Sequence, residues 1–136
     1  MTGVWVLIGT LALASVFGLA WRSSRGRVRT AKSSSLPSEL QKLVDPGSAV
    51  TLLQISTTFC APCRHTRILL ADLAGRTEGL QHVDFDVTDH PEVAQSLGVL
   101  STPTTLAVDA QGVELMRVGG VPKRDTLLDA LRPHLP

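Results

Sequence analysis

The sequence predicts an α/β domain carried behind a single membrane-spanning helix. Three observations lead there. Thr2 to Trp21 contains no charged residue. Beyond Leu36, short strand-like runs take turns with amphipathic helical ones. Cys60 and Cys63, the only two cysteines among 136 residues, stand where the first of those strands hands over to a helix.

The uncharged run covers 20 positions. At about 1.5 Å per helical residue it spans about 30 Å, the thickness of a bilayer's hydrocarbon core. Trp5 and Trp21 sit near its ends, as interfacial anchors do. A cleaved signal peptide is the competing reading, since Ala12-Leu13-Ala14 offers a small-x-small site. No basic residue precedes the run, however, and cleavage there leaves a very short apolar core, so a retained anchor is expected. Residues 1–21 are assigned to the anchor, 22–35 to a basic juxtamembrane linker and 36–136 to the folded domain.

Arg22, Arg25, Arg27, Arg29 and Lys32 follow the run with no acidic residue among them. The positive-inside rule then predicts a single-pass protein of the cell membrane with its domain in the cytoplasm; an extracytoplasmic domain is the alternative. Setting those five cations aside, the chain holds 8 basic and 12 acidic residues. A basic collar beside an acidic domain suits anionic lipid, and no nucleic-acid partner is expected.

The elements follow in order. Ser33-Ser34-Ser35 reads as a polar linker, and Leu36 to Val44 as an amphipathic helix with Pro37 in its first turn, ending at Asp45-Pro46-Gly47. Val50 to Ile55 is an apolar run suited to a buried strand. The helix after the cysteines carries Leu69, Leu70, Leu73 and Ala74 on one face and is expected to stop at Gly75. Gln81 to Val87 alternates apolar with polar, which is strand-like. Asp89 is the expected cap of a short helix from Pro91 to Leu97, stopped by Gly98. Thr104 to Val108 and Val113 to Val118 flank a turn at Asp109-Ala110-Gln111-Gly112, predicting a hairpin that Gly119-Gly120 breaks. A last helix over about Lys123 to Leu131 turns Leu127, Leu128 and Leu131 inward before Pro133.

The chemistry lies in Phe59-Cys60-Ala61-Pro62-Cys63. A helix N-terminus offers free N–H groups and a positive dipole end, which favour a thiolate. Cys60 is therefore the expected nucleophile with a lowered pKa, and Cys63, one turn further in, the shielded thiol that resolves a mixed disulfide. A purely structural disulfide is disfavoured because so short a loop restrains the unfolded chain little. A zinc site needs two further ligands, and no second cysteine pair or His-x-His cluster is present, so no metal is expected. Haem attachment needs His directly after the second cysteine, where Arg64 stands.

The succession strand, redox helix, strand, helix, hairpin, helix over roughly Leu36 to Leu135 resembles the thioredoxin superfamily. Cys60-Ala61-Pro62-Cys63 is similar to that family's Cys-x-Pro-Cys motif, and Ser101-Thr102-Pro103-Thr104 to its cis-proline segment. The resemblance implies a central mixed β-sheet flanked by helices, and thiol–disulfide exchange through Cys60 and Cys63. It implies a substrate-binding surface of Phe59, Ala61, Pro62, Thr102, Pro103 and Gly119. Phe59 and Ser56 stand where the family often carries Trp. Gln54 takes the place of its buried acid, and Asp84 stands near a frequent lysine. Gln cannot titrate, so Gln54 and Asp84 are possible modulators of proton transfer, Asp84 as a displaced carboxylate or else a solvated strand residue. His65 stabilises a thiolate if it points back and is otherwise a surface residue of an exposed helix face. The expected partners are a protein disulfide as substrate, membrane lipid around the helix, and an upstream protein electron donor. No cofactor is expected, because no nucleotide-binding glycine fingerprint is present. A redox-sensing interaction module without turnover is the non-enzymatic alternative.

Overall fold

The computed structural model describes residues 1–30 and 35–136. Helix α1, Thr2–Ser24, contains no buried residue. Among the described residues it is the only helix long and apolar enough to cross a membrane. Most of the predicted polar linker (Ser33 and Ser34) and Lys32 of the basic collar lie outside the described residues. Ser35 forms an isolated antiparallel bridge with Val113.

Among the described residues the sheet has five strands: β1 Val28–Thr30, β2 Val50–Ser56, β3 Leu80–Asp86, β4 Thr104–Asp109 and β5 Glu114–Gly119. Their spatial order is β1-β5-β4-β2-β3. Only β2 and β3 run parallel; β2–β4, β4–β5 and β1–β5 are antiparallel. All seven residues of β2 are buried, which explains why it reads as a continuous apolar run rather than an alternating one. Its even positions, Val50 and Leu52, pack with Leu70, Leu73, Leu127 and Leu131 of α3 (Ala61–Arg76) and α5 (Arg124–Leu131). Its odd positions, Leu53 and Ile55, pack on the other face with Leu40 of α2 (Ser38–Gln41) and Val93 of α4 (Pro91–Ser96). The mixed sheet flanked by helices is thus the architecture expected from sequence.

Ends of β2 to β5, α4 and α5 shift by one residue from the sequence reading, so that Gly119, expected to break β5, is its last residue. Four further differences stand out. Strand β1 falls within the stretch assigned to the linker. Helix α2 is one turn long, because the chain tightens to i→i−3 bonds: the Leu43 N–H donates to Leu40 O at 3.0 Å and the Val44 N–H to Gln41 O at 3.2 Å. Helix α3 continues through Gly75, and the reversal falls instead at Gly79 (φ 79°), where a Cβ would lie 2.8 Å from Pro136 Cδ. The residue capping α4 is His90 rather than Asp89, and its side chain makes no capping bond.

Candidate active site

Strand β2 delivers the chain to the redox turn. After Ser56, the loop 57–59 is tied to the end of β3. The Thr58 N–H donates to Thr88 Oγ1 at 2.9 Å, and the Thr58 hydroxyl to Asp86 Oδ2 at 3.0 Å. Donation from the Thr88 hydroxyl and N–H holds the Asp86 carboxyl below the usual carboxylate range. Cys60 then occupies the N-cap of α3 with an extended backbone, φ −137°. Proline at N1/N2 of this helix is accommodated because no intrahelical N–H bond is needed there.

The two sulfurs are bonded to each other in this structure. Their surroundings are unequal. Cys63 is 1 % exposed, on the inner face of α3; Cys60 is only partly buried. The Cys63 N–H donates to Cys60 Sγ at 3.2 Å, and the Thr102 hydroxyl approaches the same sulfur at 3.7 Å. The Thr102–Pro103 peptide bond is cis. Its loop is pinned by the Gly120 N–H, which donates to Pro103 O at 2.8 Å, and by a 3.4 Å contact between the Thr57 and Thr102 hydroxyls. Phe59 (97 %) and Leu100 (99 %) are exposed apolar side chains at this end. Ala61 and Pro62 are exposed as well, and Gly119 is exposed, with no described residue beyond its chain neighbours within 4 Å of where a Cβ would stand.

Behind the pair lies a buried polar arrangement. Gln54 is fully buried; its Nε2 donates to Cys63 O at 2.8 Å, and its Oε1 lies 3.0 Å from His82 Nε2. With the amide turned this way, the oxygen only accepts, so His82 Nε2 carries the hydrogen. Burial pushes the half-buried His82 below its ordinary pKa of 6.5. The Asp84 carboxylate opposes that push and the Arg67 guanidinium adds to it. Asp84 itself is engaged by Arg67, at 2.7 Å from Nε and 2.6 Å from Nη2, and by the Ser56 hydroxyl. Among the described residues no hydrogen bond joins Asp84 to either cysteine. His65 lies on the exposed face of α3.

The sequence reading missed His82. The signal was its spacing of two from Asp84, which puts both on one strand face. The parallel register, Leu52 beside His82 and Gln54 beside Asp84, brings that face to Gln54, and no residue pattern announces that register.

A shielded sulfur bonded to a capping one, with a cis-proline loop against the capping sulfur, defines a dithiol–disulfide oxidoreductase site. Comparison with known proteins agrees. The family model described as Thioredoxin matches residues 31–133. Thioredoxin of Staphylococcus saprophyticus is 32 % identical over 89 residues, covering 65 % of this chain and 85 % of that protein. Thioredoxin of Staphylococcus aureus is 33 % identical over the same length, with the same coverage. Among solved structures, a mutant thioredoxin from Halobacterium salinarum superposes with a TM-score of 0.63 at 20 % identity, covering 75 % of this chain and 88 % of that one. Thioredoxin NaTrxh from Nicotiana alata gives 0.59 at 25 %, covering 78 % and 99 %. The chain belongs to the thioredoxin family and is a thiol–disulfide oxidoreductase.

Proposed function

We propose that this protein is a membrane-tethered reductase of protein disulfides, with Cys60 as nucleophile and Cys63 as resolving thiol. The observation that carries this reading is the inequality of the two sulfurs: Cys60 is accessible and receives the Cys63 N–H, whereas Cys63 is sealed behind it. In the reduced protein a Cys60 thiolate attacks one sulfur of a substrate disulfide, and the other substrate sulfur leaves as a thiolate that takes up a proton. Cys63 loses its proton and attacks Cys60 Sγ, releasing the second substrate thiol and closing the Cys60–Cys63 bond. Two electrons pass to the substrate, and a dithiol protein donor upstream must return them. The substrate chain is expected to lie extended along Thr102–Pro103, flanked by Phe59, Ala61, Pro62 and Gly119, with backbone hydrogen bonds in the manner of an added strand.

The tether is α1, whose 23 residues amount to about 35 Å of helix, enough to span a bilayer. The arginines after it favour a domain on the cytoplasmic side. The test is partner trapping in membranes. A Cys63→Ser variant should accumulate mixed disulfides with membrane-fraction proteins through Cys60, and Cys60→Ser should not. Trapping through Cys63 alone, or none with either variant, contradicts the assigned roles.

A further inference from the structure

Strand β1 enters the sheet from the redox end. It pairs with β5 so that Val28 faces Val118 and Thr30 faces Met116. The end of β5, Gly119, faces Thr104 at the start of β4, and Thr104 faces Ile55 near the end of β2. The chain leaving α1 therefore reaches the domain at the end that holds Cys60, not at the end of the Asp109–Gly112 turn. The connection is short and fixed. Only Arg25, the C-cap of α1, separates Ser24 from Gly26. The Gly26 N–H donates to Gly119 O at 2.8 Å. Gly26 has φ +77°, and a Cβ there would stand 2.8 Å from Val121 O, so this contact admits no side chain. The next residue of the same loop, Gly120, donates to Pro103 O, and Thr102 reaches Cys60 Sγ. An unbroken set of contacts thus runs from the end of the apolar helix to the reactive sulfur.

We infer that this strap turns the redox end of the domain towards the bilayer, and that the substrates are disulfides held at the level of the lipid headgroups. The inference rests on the membrane-tethered reading above. With Trp21 at the interface, three helical steps and two extended ones put Gly26 at most about 12 Å beyond it. The exposed Arg22, Arg25 and Arg27 lie in the headgroup layer of an anionic membrane at that depth. Phe59 and Leu100 face the same layer.

The test uses full-length protein in anionic phosphatidylglycerol vesicles, with Cys60 and Cys63 kept disulfide-bonded so that an introduced cysteine is the only free thiol. Asp89→Cys carries a fluorophore beside Thr88, which bonds the redox loop; Gln111→Cys carries it in the opposite turn. Energy transfer to a headgroup acceptor should place position 111 about 20 Å farther from the membrane than position 89, the length of a six-residue strand. A domain lying on its β1 edge would reverse the order, because Asp89 follows β3 at the far edge, four strand spacings or about 19 Å away. Equal distances or that reversal overturn the inference and leave the tether intact. Failure of the protein to float with the vesicles overturns both. An insertion of about 20 Gly/Ser residues after Ser24 should erase the distance difference. In a separate arm, with Cys60 and Cys63 reduced and no cysteine introduced, the insertion should lower the rate on a headgroup-linked disulfide, relative to a soluble one, about fivefold through the drop in effective concentration. An unchanged difference after insertion contradicts the strap as its cause.

Discussion

Replacing Gln54 by Asp puts a titratable group behind Cys63 and shortens the side chain by one methylene. That shortening, about 1.5 Å, is too much for either contact of the amide, 2.8 Å to Cys63 O and 3.0 Å to His82 Nε2. Two buried hydrogen bonds go, each worth about 0.5–1.5 kcal/mol, so the fold should lose roughly 1–3 kcal/mol. At about 4–8 °C per kcal/mol for a domain of this size, the melting temperature should drop by roughly 5–20 °C. Activity should move the other way. Cys63 must lose a proton as it attacks, and an amide cannot take it. A well-placed carboxylate accelerates such a transfer by about 10²–10⁴-fold; one that reaches the thiol only through water should deliver the low end, about 10². The Asp84 carboxylate on the neighbouring strand position and burial both favour the protonated form of the new acid, bringing it towards neutral pH, where a base is most useful. The assay is single-turnover decay of a Cys60 mixed disulfide across pH. Wild type should be slow at neutral pH and rise towards an ordinary thiol pKa of about 8.5, and Gln54→Asp should flatten that rise. A wild-type rate already fast and flat with pH would refute the reasoning, and so would a variant unchanged in both rate and stability.

Other outcomes follow from the same contacts. Burial lowers the His82 pKa in the folded state below its ordinary 6.5. Its neutral form therefore contributes stability that is complete above about pH 6.5 and is lost as the pH falls through that value towards the folded pKa. His82→Gln should flatten this part of a melting-temperature profile taken between about pH 5 and pH 8; an identical slope in both proteins contradicts it. Leu70→Ala empties a fully buried site between α3 and the sheet and should cost about 2–5 kcal/mol in denaturant unfolding, against less than about 0.5 kcal/mol for an exposed change such as Gln111→Ala. A reporter fused after Pro136 should be active only if it is of the cytoplasmic kind; activity of an export-dependent reporter instead would move the domain to the other side of the membrane.

What the sequence made legible was whatever local chemistry determines. The apolar run of β2 and the Leu70/Leu73 stripe of α3 each follow from which face is buried, and burial is written residue by residue. The cysteine spacing put both sulfurs at one helix start for the same reason. Strand β1 was not legible: Val28-Arg29-Thr30 is too short and too charged to read as a strand, and it is one because the open edge of β5 pairs with it. The polar arrangement behind Cys63 was half legible. Gln54 stood out, but its partners depend on the parallel register of β2 and β3, which is set across a gap of more than twenty residues. The extent of α2 depended on tertiary packing of Leu40 rather than on its weak helical pattern.

The measurement that bears most directly on the assigned chemistry is the alkylation rate of each cysteine in the reduced, full-length protein at neutral pH, followed peptide by peptide by mass spectrometry. With Cys60 at the helix N-cap, accessible and facing the Cys63 N–H, its thiol should react at least about tenfold faster than the buried Cys63. Equal rates, or a faster Cys63, would mean that the nucleophile and the resolving thiol have been assigned the wrong way round.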